Sequence, residues 1–295
     1  MPRTQELLAY LQSRAILLAD GPTGTMLQSM GLPAGKVPEQ WNLERPDHVT
    51  ALYRAYLDAG SQIILTNTFG GSRIKLARAG CPEVTVEANQ EAARLAIQAA
   101  NGRAFVAGDI GPCGELLEPY GTLAYSSAVA AFAEQADALA QGGVDCLWIE
   151  TMMALEEAQA AIEGAKEVTD LPILCSMSFG PSGRTMMGVT PERAITTLWP
   201  LGLAACGGNC GQGPEHMVKT VERMAAAQPE AVLIAKPNAG LPRLVDDRSV
   251  FDMTPEAMAE HILSCVRAGA RIVGSCCGGS PAHIRAMGQA LAKVG

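Results

Sequence analysis

Aromatic residues are scarce: Phe, Trp and Tyr together make up 4% of the 295 residues. A cage of stacked rings around a quaternary ammonium group has little to draw on. Basic residues are in deficit as well, with 22 Lys and Arg against 30 Asp and Glu, a net charge of −8 and no Lys/Arg cluster. That excludes the electrostatic footprint of a nucleic-acid binder or of a protein docked on anionic lipid. The N-terminal stretch MPRTQELLAYLQSRA lacks an apolar h-region, so no secretory signal is expected. The longest uncharged run, Ala194 to Pro214, contains GGNCGQG and internal proline, which rules it out as a transmembrane helix. The nine cysteines are an odd number in a large chain, and they read as free thiols in a reducing, cytoplasmic setting. With 48% hydrophobic and 18% charged residues, the balance is that of a folded globular protein.

What is abundant is alternation. Short β-rich apolar runs recur, each followed by a Gly/Pro/Asn-rich turn and an Ala-rich helical stretch. The runs are 16–20, 62–69, 105–111, 146–151, 173–179, 203–210, 232–238 and 271–276. Nearly continuous apolar strands are buried on both faces, as in parallel sheets. Strand alternating with helix implies right-handed crossovers. Eight such units predict an α/β fold, a single (β/α)8 TIM barrel, with a doubly wound open sheet as the competing architecture. Thr190-Pro191, Thr254-Pro255 and Ser280-Pro281 mark helix starts, each with a capping hydroxyl before proline. No linker divides the chain, so residues 1–295 are expected to form one domain.

In such a barrel the active site lies at the C-terminal ends of the strands. The polar strand ends are Asp20-Gly21, Thr66-Asn67, Asp109, Glu150-Thr151, Asn209-Cys210, Lys236-Pro237-Asn238 and Ser275-Cys276-Cys277. Runs six and eight end in cysteines flanked by glycine. Their ends face one mouth, so Cys210 can meet Cys276 and Cys277 across the barrel. Three thiolates supply three ligands of a tetrahedral zinc ion and leave the fourth position open, the arrangement of a catalytic site. The Cys276-Cys277 pair is also compatible with a redox couple or with simple packing. Cys81, Cys113, Cys146, Cys175, Cys206 and Cys265 are expected to be core residues.

In order along the chain, LLADGPTGT, ILTNTFGGSRIKL, AGDIGPCGE, LWIET, SGRTMMGVTPE, GGNCG, KPNAGLP and GSCCGGSPAHI resemble the motifs of the homocysteine-binding methyltransferase family. That family comprises betaine–homocysteine methyltransferases, S-methylmethionine-dependent enzymes and the N-terminal module of cobalamin-dependent methionine synthase. The resemblance runs from about Leu17 to His283. It implies a zinc-dependent barrel that transfers a methyl group to the thiol of homocysteine, giving methionine. It implies one Zn2+ per chain on Cys210, Cys276 and Cys277, with catalysis acting through that ion. Asp20 and Glu150 match the carboxylates that hold the homocysteine ammonium. Gly21, Thr66 and Asn67 match the turns around the amino-acid end, with the Thr66/Asn67 backbone placed at the substrate carboxylate.

The chain departs from the family pattern at two places. Ser275 stands where the cysteine motif usually has a second glycine; serine is small, so the turn is expected to survive. Gly70 stands where the betaine-using animal enzymes carry an aromatic residue, and Trp41 is the remaining candidate ring at the mouth. KPNAGLP resembles the methionine synthase module. These features favour a methylcorrinoid donor, carried by a separate partner protein, over betaine or a sulfonium such as S-methylmethionine or dimethylsulfoniopropionate. No nucleic-acid or membrane partner is expected. A different class of reading, a thiol-redox barrel using Cys276 and Cys277, also remains open.

Overall fold

The computed structural model of the chain describes residues 3–293, apart from 14, 34, 212, 242, 246 and 247. Among the described residues there are ten strands: β1 (Leu17–Leu18), β2 (Ile63–Leu65), β3 (Phe105–Ile110), β4 (Cys146–Met152), β5 (Ile173–Met177), β6 (Ala205–Cys210), β7 (Leu233–Pro237), β8 (Arg243–Val245), β9 (Arg248–Val250) and β10 (Ala270–Val273). Eight of them form one parallel sheet in the order β1-β10-β7-β6-β5-β4-β3-β2. A bridge between Ala19 and Ile63 joins its two ends, and the Gln62 N–H donates to the Leu18 carbonyl at 2.7 Å. The sheet is therefore a barrel, and each of the eight apolar runs supplies one strand. The antiparallel β8–β9 hairpin was not expected from the sequence.

Strand pleating sorts the apolar residues into two layers. One set, including Leu17, Ile63, Phe105, Trp148, Leu174 and Ile234, fills the barrel interior. The alternate residues, including Leu18, Ile64, Val106, Leu147 and Val273, pack outward against the helices. The interior cluster also takes Leu7 and Leu11 from the N-terminal helix α1 (Arg3–Gln12), which plugs one end of the barrel. Each fully buried side chain of this kind contributes about 1.5–3 kcal/mol.

Two expected caps form: the hydroxyls of Thr190 and Thr254 accept from the Arg193 and Ala257 N–H groups, both at 3.2 Å. The third does not. Ser280 precedes Pro281, but its hydroxyl pairs with Nδ1 of His283 at 2.8 Å instead of a backbone N–H. The six cysteines expected in the core are all buried. Cys113 has a polar partner as well, its thiol donating to Oε1 of Glu157 at 3.1 Å. No helix among the described residues is long and apolar enough to cross a membrane.

Candidate active site and metal centre

Toward the C-terminal ends of the strands the inward stripe turns from apolar to charged. Ala107 is followed two residues later by Asp109 on β3, Trp148 by Glu150 on β4, and Ile234 by Lys236 on β7. All three charged residues are buried, yet each lines a cavity of about 600 Å3 at the mouth. That volume suits a small-molecule site. Gly21, Thr25, Asn67, Cys210, Cys276 and Cys277 line the same cavity.

The three sulfurs converge by local backbone devices. Cys210 ends β6 with φ of 56° and Gly211 follows at 73°, so the chain turns sharply through the left-handed region. Across the mouth, the Cys276 N–H donates to the Pro237 carbonyl at 2.8 Å, and the Cys277 carbonyl accepts from Ala239 N–H at 2.9 Å. Gly278 has φ of 82°, and a side chain there would strike the Phe251 ring at 2.2 Å. The substitution of serine at 275 is accommodated: its N–H donates to the Asp20 carbonyl at 3.1 Å, and Gly279 leaves room for its hydroxyl. The Sγ atoms of Cys210 and Cys276 are 2.7 Å apart, and the three Sγ atoms all lie within 4.8 Å of one another. Thiolates bonded to one tetrahedral zinc at about 2.3 Å sit roughly 3.8 Å apart, so a small contraction or expansion of this triad closes on the ion. The donor set is soft sulfur only, the chemistry zinc favours. The Cys277 thiol is pulled down to about 3 by hydrogen bonds from Cys210 and then Cys276, while Cys210 is pushed up by the same contacts.

Glu150 is aimed by a β-bulge. The β4–β5 register shifts between Ile149 and Met152, and Thr151 within that bulge has φ of 63°. Asn209 fastens this strained turn to β6. Its Oδ1 accepts from Thr151 N–H and Ser176 Oγ, both at 2.8 Å, and its Nδ2 donates to Thr151 Oγ1 at 2.6 Å. One asparagine thus ties the bulge carrying Glu150 to the turn carrying Cys210.

Lys236 stands among the carboxylates. Its ammonium is 3.2 Å from Oδ1 of Asp20, 3.8 Å from Oε2 of Glu150 and 4.9 Å from the centroid of the Trp148 ring. Burial opposes its charge, but Asp20, Glu150 and their neighbours outweigh that, so its pKa lies above the usual lysine value. Burial raises Glu150 to about 7, against the lowering effect of Lys236.

The residues expected at the amino-acid end fall into two groups. Glu150, Gly21 and Asn67 reach the cavity wall; Asp20 and Thr66 do not. Asp20 accepts from Leu65 N–H at 2.8 Å and faces Lys236. Thr66 is fully buried and its hydroxyl accepts from Asp109 N–H at 2.9 Å. The Asn67 N–H donates to the Tyr53 oxygen at 2.8 Å, so it is not free for a ligand carboxylate. Gly21 is required, because a Cβ there would lie 2.8 Å from the Tyr56 ring. Sequence reading gave no role to Asp109, Lys236, Asn209 or Thr25. The first three share the inward parity of their strands, a period-two signal that was available.

At the position of an animal-type cage residue, Gly70 faces the buried Glu39, whose carboxylate accepts the Gly70 N–H; a side chain there would meet Oε1 at 2.8 Å. Trp41 is buried off the cavity wall with its ring edge-on to His48. Phe69 does line the cavity, with Lys75 Nζ 4.4 Å from its ring centroid.

A parallel barrel with three convergent cysteines and buried carboxylates at one mouth belongs to the class of α/β barrels able to hold a thiolate-bound metal beside a small-molecule cavity. Comparison with known proteins narrows the class. The homocysteine S-methyltransferase family profile matches residues 17–291, and the chain belongs to that family. It is 29% identical over 309 aligned positions to methionine synthase of Mycobacterium tuberculosis, covering 98% of this chain but 26% of that protein. The chain thus spans about a quarter of the length of that relative. The metallated form of the homocysteine methyltransferase MmuM from Escherichia coli superposes with a TM-score of 0.80 at 22% identity, covering 95% of this chain and 97% of that one. The carboxyl transferase domain of Rhizobium etli pyruvate carboxylase shares the fold more distantly, with a TM-score of 0.56 at 12% identity, over 99% of this chain and 49% of that one.

Proposed function

We propose that the chain, read as one barrel domain over 1–295, methylates the thiol of homocysteine to give methionine, with one zinc ion on Cys210, Cys276 and Cys277. The observation that carries this reading is the convergence of three sulfurs beside a buried carboxylate in one cavity. Zinc held there would keep a substrate thiol deprotonated at neutral pH, where a free thiol titrates near 8.5. Glu150, aimed by its bulge, accepts the substrate ammonium and so orients the far end of the molecule. The Asn209 tie keeps that anchor in register with Cys210. The substrate sulfur then forms its bond to the methyl carbon as the donor–methyl bond breaks, its electrons leaving with the donor. Alignment of the two reactants removes a large entropic part of the barrier. We place this activity in a reducing, cytoplasmic setting, where a thiol triad stays available to a metal ion.

For the donor we favour a methylcorrinoid presented by a separate protein. Phe69, the one aromatic ring on the cavity wall among the described residues, already has a cation over its face, which works against a quaternary ammonium. Leu116, Tyr120, Met186 and Leu241 are exposed on the segments that follow β3, β5 and β7, the side of the barrel that carries the cavity. Zinc-loaded protein given homocysteine and, in turn, betaine, S-methylmethionine, dimethylsulfoniopropionate and methylcobalamin is expected to form methionine from the corrinoid. Saturable turnover from betaine alone overturns the donor assignment. Failure with every donor overturns the activity itself.

Replacing Glu150 by glutamine should raise the homocysteine KM by about 10- to 100-fold, the effect of losing a charge-assisted hydrogen bond in a buried site. An unchanged Kd by calorimetry would make Glu150 a purely structural partner of Lys236.

A further inference from the structure

Three buried carboxylates, Asp20, Asp109 and Glu150, surround the single ammonium of Lys236. Asp20 is already satisfied, by the Leu65 N–H and by Lys236. Glu150 Oε2 is 3.8 Å from Lys236, beyond hydrogen-bond reach, and Asp109 Oδ1 has no hydrogen-bond partner among the described residues. Both carboxylates line the cavity and Asp20 does not. Leaving acceptors of this kind buried and unpaired is expensive, so such groups are kept where a ligand completes them. A third unpartnered polar atom of the wall is of the opposite kind: Oγ1 of Thr25, a hydroxyl able to donate. Two acceptors and one donor around a cavity are the complement of an α-amino acid zwitterion.

We infer that Asp109 is a substrate-binding residue which, together with Glu150, holds the α-ammonium of the thiol substrate, while Lys236 withdraws Asp20 from that role. The inference rests on the homocysteine reading above. Asp109 is held for the task. Its N–H donates to Thr66 Oγ1 at 2.9 Å, its carbonyl accepts from Thr68 Oγ1 at 2.7 Å, and the two hydroxyls are 2.6 Å apart. The Thr66–Thr68 turn therefore acts as a positioning device for Asp109, with Gln135 donating to the same carbonyl at 3.3 Å. Lys236 supplies one positive charge against three buried carboxyl groups, and a cationic group on the ligand would supply a second. The chemistry selected is an amino acid with a free α-amino group, rather than a simple mercapto acid.

The test is calorimetric binding of homocysteine and of 4-mercaptobutanoate, the same thiol acid without the amino group, to zinc-loaded wild-type protein and to Asp109→Asn. Asparagine is isosteric and removes a buried charge, so the variant should fold; Asp109→Ala serves as a second variant. Wild type should prefer homocysteine by about 10³-fold or more, as sites built around a polar group reject analogues lacking it. In Asp109→Asn the homocysteine Kd should rise about 10- to 100-fold while 4-mercaptobutanoate binds unchanged or better, so selectivity collapses by that factor. Zinc content should stay stoichiometric. Equal losses for both ligands, or no loss for either, would overturn the role of Asp109 and leave the homocysteine reading intact. No homocysteine binding to wild type would overturn both.

Discussion

Serine at position 210 should release the metal and reduce methyl transfer by at least about 10³-fold, because the substrate thiol loses both its deprotonation and its placement. The substitution changes one atom. Serine oxygen is a hard, weakly acidic donor and a poor zinc ligand beside two thiolates. Its side chain is also no bulkier than cysteine, and it meets the same backbone demand at φ of 56°. The turn into Gly211 and the Asn209 tie to Thr151 should therefore persist, and the circular dichroism spectrum should match wild type. Metal analysis of protein purified without added zinc gives the primary readout. Stoichiometric zinc together with normal turnover in Cys210→Ser would mean that the ion, or the chemistry, lies elsewhere. The same loss is expected for Cys276→Ser and Cys277→Ser, whereas Cys175→Ser or Cys206→Ser, in the core, should leave zinc content unchanged.

The second large effect is on stability. Lys236→Met keeps most of the side-chain volume and removes the ammonium between Asp20 and Glu150. Breaking a buried ion pair by removing one partner costs about 3–5 kcal/mol, because the remaining charge is left desolvated. The deficit should depend on pH in a defined direction. Burial already pushes the Asp20 carboxyl above its ordinary value, and Lys236 opposes that push. Without the lysine the carboxyl rises further. A group whose folded pKa exceeds its unfolded value stabilises the fold at low pH, and that contribution is lost as pH rises through the folded value. The variant should therefore fall short of wild type most at about pH 7.5 and less at about pH 5, where Asp20 can take a proton. Urea midpoints at the two pH values measure this. A deficit that grows on acidification would show that Lys236 is not the counter-charge of Asp20.

Much of this architecture was legible in the chain. Each apolar run became a strand because parallel barrel strands are buried on both faces and need no polar alternation. The ends were less legible: the run 62–69 gives only Ile63–Leu65 as strand, since beyond Thr66 the backbone N–H groups of Asn67 and Gly70 turn from the ladder to the side chains of Tyr53 and Glu39. The β8–β9 hairpin escaped because RLV and RSV are too short to carry a period. The thiol triad was readable from glycine-flanked cysteines at strand ends. The division of labour among the carboxylates was not. Asp20 and Asp109 look alike in sequence; which of them meets the cavity depends on strand parity and on where the Lys236 ammonium falls. Ser280 shows the same limit at small scale, since a histidine three residues on competes for its hydroxyl.

The plug formed by α1 has a kinetic meaning. Leu7 and Leu11 close one end of the barrel, and the interior above them is packed solid with Trp148, Phe105 and their neighbours. The site is a cup with a single rim rather than a tunnel with two doors. In the proposed reaction a thiol substrate anchored at the bottom of that cup would have to enter before a bulky methyl donor caps it, and the methylated product would leave only after the demethylated donor departs. Traffic through the rim would then be compulsory-order, first in and last out.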